Sequence, residues 1–526
     1  MINQKFKKIM IIIWILSLQC LILNIIIIES EQSRNQVYIE IKKSKSELPN
    51  PSILDTWSTN GVPICIASGQ QVFPIICSDG ARGAIIIWRD MGNGHIYAQR
   101  VDSNGETIWS KNGVDINTLG GWNAQLCEDG KNGAIIAHAG PGTDLYVQRI
   151  DSNGNLKWGN EGIKICDADD KQDNPQLVSD KEGGAIITWR DQRNGWSNVY
   201  AQRIDSDGNA LWEPNNGVPI SIDFKIKSSI KIIEDGNKGA IITWQEGDIY
   251  AQRIDSEGNI LWTPQNGVAI CTADDSQGDP QLCSDKKEGA IITWTDNRGA
   301  SSAIYAQKIN STGGTEWDNN GVLICDLSSQ NSGAQICSDG AGGAIIGWEG
   351  VRAESPCIVY AQRINSDGQT EWANNGEEIS IDSYEVQICE DSAGGAILTW
   401  TDGRFATSTD IYAQRINSAG KKVWDSNNFA ICNASNNQFD PQICDDGKGG
   451  VIIAWCHANT DIYAQQVIYT QSNVAIAIAN GNDDNNGNTE DIDVLRIYFF
   501  SAVILIPITP VMIGVIYYFI RKKRSS

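Results

Sequence analysis

Short apolar runs alternate with clusters of Gly, Asp, Asn and Ser along most of the chain. One stretch predicts strands over 280–284, 289–295, 304–310 and 315–325. The run at 289–295 is too short for a helix, and no apolar period of 3.5 or 3.6 residues occurs. The polar clusters between the runs are typical of turns. The pattern therefore predicts an all-β domain.

The strand pattern repeats. The tripeptide Tyr-x-Gln recurs about every 50 residues, beginning at Tyr97, Tyr146, Tyr200, Tyr250, Tyr305, Tyr360, Tyr412 and Tyr463. A first tryptophan marks each fourth strand: Trp57, Trp109, Trp158, Trp212, Trp262, Trp317, Trp372 and Trp424. A second ends most second strands: Trp88, Trp189, Trp244, Trp294, Trp348, Trp400 and Trp455, with His138 at the eighth place. Four strands in about 50 residues are typical of a β-propeller blade.

The number of blades follows from where the chain enters and leaves the repeat. It enters at Trp57, in a fourth strand, and leaves after Tyr463, in a third strand. The N-terminal strand would complete the last blade, which leaves no long open sheet edge. We predict an eight-bladed β-propeller of four-stranded blades over residues 50–468, closed by this strand. Seven blades plus a stray unit is the alternative.

The connections between strands differ in how much their length varies. The spacing from each Tyr to the next first Trp is constant, and Gly lies four residues before that Trp, which indicates a positive φ. The spacing from second Trp to Tyr is twice as long between Trp348 and Tyr360 as between Trp244 and Tyr250. In a blade, the variable second-to-third and fourth-to-first connections share one face. We expect this variable face to carry function and to point away from the membrane.

The sequence patterns at both ends of the chain predict segments that enter a membrane. Three lysines precede an apolar run to Ile28, so residues 1–28 read as a signal peptide or an uncleaved signal anchor, followed by a polar segment over 29–49. A polar linker is predicted over 469–495 and a transmembrane helix over 496–520, with a buried core helix as the alternative. The basic tail over 521–526 predicts a cytoplasmic C-terminus. The propeller of this single-pass protein would then be extracytoplasmic.

The net charge of the chain between the two apolar segments bears on one class of partner, nucleic acids. This part contains 33 basic and 64 acidic side chains, a formal charge of −31. A field of this sign repels phosphate backbones, so we expect no nucleic-acid partner.

The segment from Tyr250 to Trp262 resembles the tryptophan-docking motif of pyrroloquinoline-quinone-type propellers. The resemblance implies eight blades in which a Trp docks against the neighbouring blade: Trp109, Trp158, Trp212, Trp262, Trp317, Trp372 and Trp424. The quinone enzymes also need adjacent cysteines and calcium ligands in the channel. No two cysteines are adjacent here, so we expect no such cofactor. A second resemblance, to the Asp-box of sialidase-like propellers, fits less well because Gly there lies three residues before Trp.

Charged residues recur after the second Trp, at the mouth of the variable face. They are Asp90, Asp191, Arg193, Glu246, Asp296, Arg298, Asp402 and Arg404. One interpretation is an Asp–Arg turn lock within each blade. The other is a candidate ligand face that binds cations, sugars or basic segments.

The other reactive side chains do not form a recognisable site. The 14 cysteines include four pairs with one constant spacing, such as Cys65 with Cys77, which read either as buried packing residues or as disulfides. The histidines His95, His138 and His457 are too scattered for a Ser/His/Asp arrangement. Asp-rich loops near Asp170 and Asp275 resemble calcium loops but lack the full pattern. We therefore assign no catalytic residue, cofactor ligand or metal ligand, with calcium left open.

These features predict a function of a broad kind. We expect a membrane-anchored, cell-surface binding or adhesion module with an extracellular protein or glycan as its ligand, and not an enzyme. An extracellular carbohydrate-active enzyme on the same scaffold, and a structural component of a surface layer, are the alternatives.

Overall fold

The computed structural model describes residues 53–55, 57–327, 330–351, 356–404, 408–424 and 428–469. The predicted signal segment, transmembrane helix and basic tail lie outside these residues, as do nearly all of the linker and the segment over 29–49. Among the described residues, no helix has both the length and the apolar character needed to span a membrane.

The described chain is all-β apart from one short 3₁₀ turn, Pro141–Thr143. Blade 1 contains β3 (Gln71–Ser78), β4 (Ala84–Asp90), β5 (Ile96–Val101) and β6 (Val114–Asp115). Blade 2 contains β7 (Trp122–Glu128), β8 (Ala134–Ala139), β9 (Leu145–Ile150) and β10 (Ile163–Cys166). Blade 3 contains β11 (Gln172–Ser179), β12 (Ala185–Asp191), β13 (Asn198–Ile204) and β14 (Val218–Ser221). Blade 4 contains β15 (Ser228–Glu234), β16 (Ala240–Gln245), β17 (Ile249–Ile254) and β18 (Val268–Cys271).

The remaining blades repeat this order. Blade 5 contains β19 (Gln277–Ser284), β20 (Ala290–Asp296), β21 (Ala303–Ile309) and β22 (Val322–Cys325). Blade 6 contains β23 (Asn331–Ser338), β24 (Ala344–Val351), β25 (Cys357–Ile364) and β26 (Glu377–Ile381). Blade 7 contains β27 (Ser383–Glu390), β28 (Ala396–Asp402), β29 (Asp410–Ile416) and β30 (Phe429–Cys432). Blade 8 contains β31 (Gln438–Asp445), β32 (Val451–His457) and β33 (Asp461–Tyr469), joined by β1 (Ile53–Asp55) and β2 (Val62–Cys65).

The blades form a closed ring. Each of blades 1–7 is an antiparallel sheet in which neighbouring strands follow chain order, and blade 8 keeps this order for β31, β32 and β33. The first strands of successive blades contact one another around the whole circle, including β3 with β31, so they surround the central axis. Eight apolar clusters fill the structure, and each joins residues of neighbouring blades. The predicted eight-bladed propeller is confirmed.

The N-terminal strand closes the ring as predicted. In blade 8, β33 pairs with β2 through Val62 and Ala464, and with β1 through Leu54 and Ile468. In the other blades a single bridge, such as Ile254 to Ile260, takes the place of β1. The fourth strand of the last blade therefore comes from the opposite end of the described chain.

The predicted strand bounds differ from the structure mainly in the fourth strand. In blade 5 the predicted strand over 315–325 is reduced to Val322–Cys325. The preceding residues leave the sheet because Trp317 turns toward the next blade, where its indole N–H donates to the carbonyl of Ser366 at 3.1 Å.

Five other first tryptophans connect neighbouring blades through the same hydrogen bond: Trp57, Trp109, Trp212, Trp262 and Trp372. The Trp262 indole donates to the Ser311 carbonyl of blade 5 at 3.0 Å. Its ring covers Gly313, whose φ is +86° and where a Cβ would lie 2.8 Å from Trp262 Cγ. The side chain is 2% exposed. Glycine is therefore required for two reasons: it adopts a positive φ without strain, and it has no Cβ to meet the tryptophan ring. Kinship with pyrroloquinoline-quinone-type propellers stays a prediction.

The Tyr-x-Gln-Arg sequence supports this contact. The Gln252 side chain accepts a hydrogen bond from the Trp262 backbone N–H at 3.0 Å and donates to the Trp262 carbonyl at 3.2 Å. The next residue, Arg253, pairs with buried Asp235 at 2.8 Å and donates to the Ser311 carbonyl at 3.1 Å. The motif thus fixes the tryptophan loop and joins two blades.

Candidate functional site

The structure places the predicted Asp–Arg pairs at the ends of second strands and buries their carboxylates. Asp191 accepts a hydrogen bond from the Trp189 indole at 2.8 Å and pairs with Arg193 at 2.6 Å. The Arg193 guanidinium lies 4.0 Å from the centre of the Tyr200 ring and donates to the Cys166 sulfur of blade 2 at 3.1 Å. The pair therefore fastens a loop within blade 3 and reaches the neighbouring blade.

The same arrangement recurs in other blades. Asp296 and Arg298 repeat it in blade 5 at 2.6 Å. Asp402 and Arg404 repeat the ion pair in blade 7 at 2.8 Å.

The other two predicted carboxylates also have partners within the chain. Asp90 accepts from the Gln71 amide at 2.9 Å. Glu246 pairs with Lys225 at 3.0 Å and with buried Lys227 at 3.4 Å. The geometry fits the turn-lock interpretation, and a ligand-binding role for these eight residues stays a prediction.

A second set of residues, which we call the channel-mouth ring, lies nearer the axis. Each blade contributes one residue near the start of its first strand: Phe73, Asn123, Asn174, Ser229, Asp279, Gly333, Glu385 and Asp440. All eight have φ angles between 49° and 62°. Each lies at a β-bulge, where the register between first and second strands shifts. The backbone is therefore the same in all blades, while the side chain differs.

The ring lies at the entrance to the central channel on the variable face, because the first strands begin there. Five of its members, from Asn123 to Gly333 around the ring, line a cavity of about 400 Å³. Below them the cavity wall carries longer polar side chains: Gln125, Gln176, Lys231, Gln281 and Gln335. Amide groups that donate and accept hydrogen bonds thus surround the cavity.

Hydrogen bonds connect ring members of neighbouring blades. The Asn123 amide donates to Asn174 at 2.6 Å, and the Ser229 hydroxyl lies 3.2 Å from Asp279 Oδ1. These bonds position the polar side chains before any ligand arrives.

Two acidic members, Glu385 and Asp440, occupy the other side of the ring. The Asp440 backbone N–H donates to Glu385 Oε2 at 2.8 Å, and the Thr401 hydroxyl donates to the same oxygen at 2.7 Å. Burial, and then the negative charge of Glu385, raise the pKa of Asp440 to about 6. Burial also raises the pKa of nearby Glu349. Asp440 therefore releases and takes up its proton close to neutral pH.

Exposed aromatic and aliphatic side chains lie in loops of the variable face. Trp196 and Phe224 meet edge to face at 6.3 Å between ring centres, and they are 43% and 82% exposed. Ile226 is also exposed, and Phe73 of the ring itself is 61% exposed. Phe224 precedes Ser229 of the ring by five residues. We call Trp196, Phe224 and Ile226 the aromatic rim.

The cysteines and histidines take structural positions. Every described cysteine is a free thiol, including both members of each predicted pair. His138 is buried and stacks on Tyr146 at 5.8 Å, and His95 pairs with Asp115 at 2.8 Å. Within the described ranges, no group of three or more His, Cys, Asp or Glu side chains is arranged to hold a metal ion. The calcium expectation stays a prediction.

Sequence reasoning missed the channel-mouth ring because it compared loops. The informative signal is one position of the first strand. The strand around it repeats in every blade, but its residue is Phe, Asn, Asn, Ser, Asp, Gly, Glu and Asp from blade 1 to blade 8. Neighbouring positions in the same strands keep a common residue type, such as the six cysteines next to the strand ends.

The chain matches no protein-family model and no curated protein. Among solved structures it is similar to a polysaccharide lyase, PL25 ulvan lyase, at 12% identity over 63% of this chain and 89% of that one, with a TM-score of 0.43. The Dos1 propeller matches at 11% identity over 78% and 95%, with a TM-score of 0.43. The GH93 α-L-arabinofuranosidase of Fusarium graminearum matches at 10% identity over 56% and 92%, with a TM-score of 0.32. These likenesses concern the fold and carry no argument about activity.

Proposed function

We propose that the chain is a membrane-anchored, cell-surface binding module whose ligand, an uncharged or basic glycan, binds at the channel-mouth ring. One observation carries the proposal. Seven blades keep a side chain at a left-handed backbone position that Gly333 occupies in blade 6. The fold tolerates glycine there, so the side chains serve something other than the backbone.

The cost of these side chains supports a functional role. For Phe73, Ser229 and Glu385 the left-handed conformation costs about 1–2 kcal/mol each, since only Gly and, less readily, Asn and Asp adopt it often. Strained backbone of this kind concentrates at binding and active sites. A ring of such positions at one channel mouth therefore supports a binding role there.

The chemistry of the ring suits a glycan. Amide, hydroxyl and carboxylate groups such as those of Asn174, Ser229 and Asp279 can exchange hydrogen bonds with sugar hydroxyls. Phe73 and the aromatic rim supply apolar surface beside them, as in other sites that combine an apolar wall with a few polar groups. The strongly negative charge of this part of the chain disfavours phosphorylated, sulfated or other polyanionic ligands.

A binding screen tests the proposal. The purified full-length chain is presented to neutral, basic and anionic glycans and to candidate extracellular proteins. The double variant Asn174→Gly with Asp279→Gly should weaken binding at least tenfold while keeping or raising the unfolding midpoint, because glycine relieves strain. Asn132→Gly, at φ +65° on the opposite face, is the matched control and should bind normally. Unchanged affinity in the double variant would place the ligand elsewhere.

Membrane anchoring is tested separately. If residues 1–28 direct export and residues 496–520 form the anchor, protease added to intact cells should digest the propeller, and removal of residues 496–526 should release it into the medium. A propeller protected in intact cells would contradict this orientation.

One observation favours the enzymatic alternative. Asp440 and Glu385 adjoin at the ring, and the pKa of Asp440, raised to about 6, suits a general acid near neutral pH. The test incubates each bound glycan with the chain and measures new chain ends. Cleavage that is lost in Asp440→Asn, while binding is kept, would establish a carbohydrate-active enzyme. Binding without cleavage would leave the module non-catalytic.

A further inference from the structure

The cavity at the channel-mouth ring contains one positive and one negative side chain. Of the described residues that line it, only Lys231 of blade 4 and Asp279 of blade 5 are charged. The remaining lining residues are amides, a serine, and small or apolar residues. The cavity wall is therefore locally neutral and dipolar, although the chain as a whole is strongly acidic.

Lys231 is an exception at a strand position where the other blades have no charge. It follows the ring member Ser229 by two residues, and the equivalent residue is Gln in six blades and Ile75 in blade 1. Lys231 and the equivalent Gln281 each lie opposite a threonine of the second strand, in the same register. The fold therefore does not require a lysine at this position.

The positive charge of Lys231 has no partner in the part of the chain that the structure describes. No hydrogen bond or ion pair involves its ammonium group there, and burial lowers its pKa. The negative charge of Asp279 raises that pKa and offsets part of the effect, but the two groups do not form an ion pair. A partly buried charge without a partner is destabilised, so a ligand that supplies one gains binding energy.

Asp279 is only partly satisfied as well. Its Oδ1 accepts a hydrogen bond from the Ser229 hydroxyl at 3.2 Å. Its Oδ2 accepts no hydrogen bond from any described residue. Asp279 is exposed at the ring and Lys231 is partly exposed two residues further along its strand, so both can be reached from the channel mouth.

The cavity has room for a small organic molecule. Its volume of about 400 Å³ lies within the range of about 300–1,000 Å³ that is usual for such sites. The amides of Gln125, Gln176, Gln281 and Gln335 add donors and acceptors without adding charge.

We propose that the cavity binds a small zwitterion of the amino acid or dipeptide class, with its carboxylate at Lys231 and its ammonium at Asp279. Each charge of such a ligand would meet an opposite charge that lacks a full set of partners, and charge-assisted hydrogen bonds are the strong ones. The ligand is neutral as a whole, so the acidic field of the chain does not repel it. This zwitterion is a different ligand from the glycan of the proposed function.

Isothermal titration calorimetry of the purified full-length chain tests the proposal without any glycan. The zwitterionic probes are L-alanine and glycylglycine. Propionate and ethylamine are the matched controls, because each is alanine without one of its two charged groups. We expect one molecule of at least one zwitterion to bind per chain, at least tenfold more tightly than propionate or ethylamine.

Two variants test the two charges. Lys231→Gln copies the residue of six other blades, and Asp279→Asn copies the asparagine of the ring in blades 2 and 3, so both variants should fold. Each should weaken zwitterion binding at least tenfold. Lys131→Gln, which changes an exposed lysine in a turn of the opposite face, is the control and should bind normally.

Nuclear magnetic resonance of the chain with ¹⁵N-labelled lysine gives a second, direct measurement. The pKa of Lys231 should rise when the zwitterion binds, because the ligand carboxylate stabilises the ammonium form. Three results would overturn the proposal: no binding of either zwitterion, equal affinity in Lys231→Gln and the wild-type chain, or propionate that binds as tightly as the zwitterions.

Discussion

Substitution of Gly313 by Ala separates the two reasons why the structure requires glycine beneath Trp262. The residue has a φ of +86°, and an added Cβ would lie 2.8 Å from Trp262 Cγ. The left-handed backbone costs a non-glycine residue about 1–2 kcal/mol. Overpacking against a buried side chain adds about 1–3 kcal/mol. We therefore expect Gly313→Ala to lower the free energy of unfolding by about 2–5 kcal/mol.

The matched control is Gly236→Ala. Gly236 has a φ of +78°, and no atom lies within 4 Å of a Cβ built there. This variant pays the backbone cost alone, so it should lose about 1–2 kcal/mol. The difference between the two variants measures the contact with Trp262.

Urea unfolding followed by tryptophan fluorescence and circular dichroism measures these changes. In a Trp262→Ala background the two nearest atoms, Cγ and Cδ1, are removed and only Cβ at 3.2 Å remains, so Gly313→Ala should cost less than it does in the wild-type chain. This double-mutant comparison assigns the excess to one pair of residues. Equal losses for Gly313→Ala and Gly236→Ala in the wild-type background would refute the argument that the tryptophan rests on the glycine.

Three further predictions concern the ring, the buried ion pairs and pH. Deletion through residue 66 removes β1 and β2, so blade 8 should expose the edge of β33. Size-exclusion chromatography should then show aggregation, and a monomer that melts cooperatively would contradict the proposed closure of the ring. Arg253→Met leaves Asp235 buried without its partner and should cost about 3–5 kcal/mol in urea unfolding, whereas Arg253→Lys, which copies the lysine at this place in blade 5, should cost less. Burial lowers the pKa of His138 to about 4, below its unfolded value of about 6.5. The unfolded chain therefore binds the proton more readily, and the free energy of unfolding should fall as the pH drops from 6.5 toward 4. His138→Gln should lose that part of the pH dependence, and an unchanged pH profile would show that His138 is not the group responsible.

The number of blades and the ring closure were predictable from the sequence. The regular spacing of Tyr97 and its seven equivalents counts the blades, and Trp57 before the first full unit indicates which strand is missing from the last. The positive φ at Gly313 was predictable too, because a glycine fixed four residues before Trp has a local backbone cause. These features depend on residues close together in the chain, so a repeat is sufficient to reveal them.

The environment of the acidic residues that follow the second Trp was not predictable in the same way. Sequence alone left Asp191 and Asp296 as either turn locks or ligand groups. The structure buries both carboxylates against an indole N–H and an arginine. Whether a carboxylate faces solvent depends on how neighbouring strands and blades pack, and residue spacing does not contain that information.

The repeat by itself determined the strands, their order and the eight-fold ring, because each of these follows from local periodicity and the need to pair every edge. Only the tertiary structure decided what the inside of the ring contains. Asn174 and Asp279 share a cavity, and Asn123 donates a hydrogen bond to Asn174, although each pair is separated by about one or two repeats. The physical reason is that closing the ring brings one position from every blade to the axis, so residues far apart in the chain meet at the same depth of a single channel.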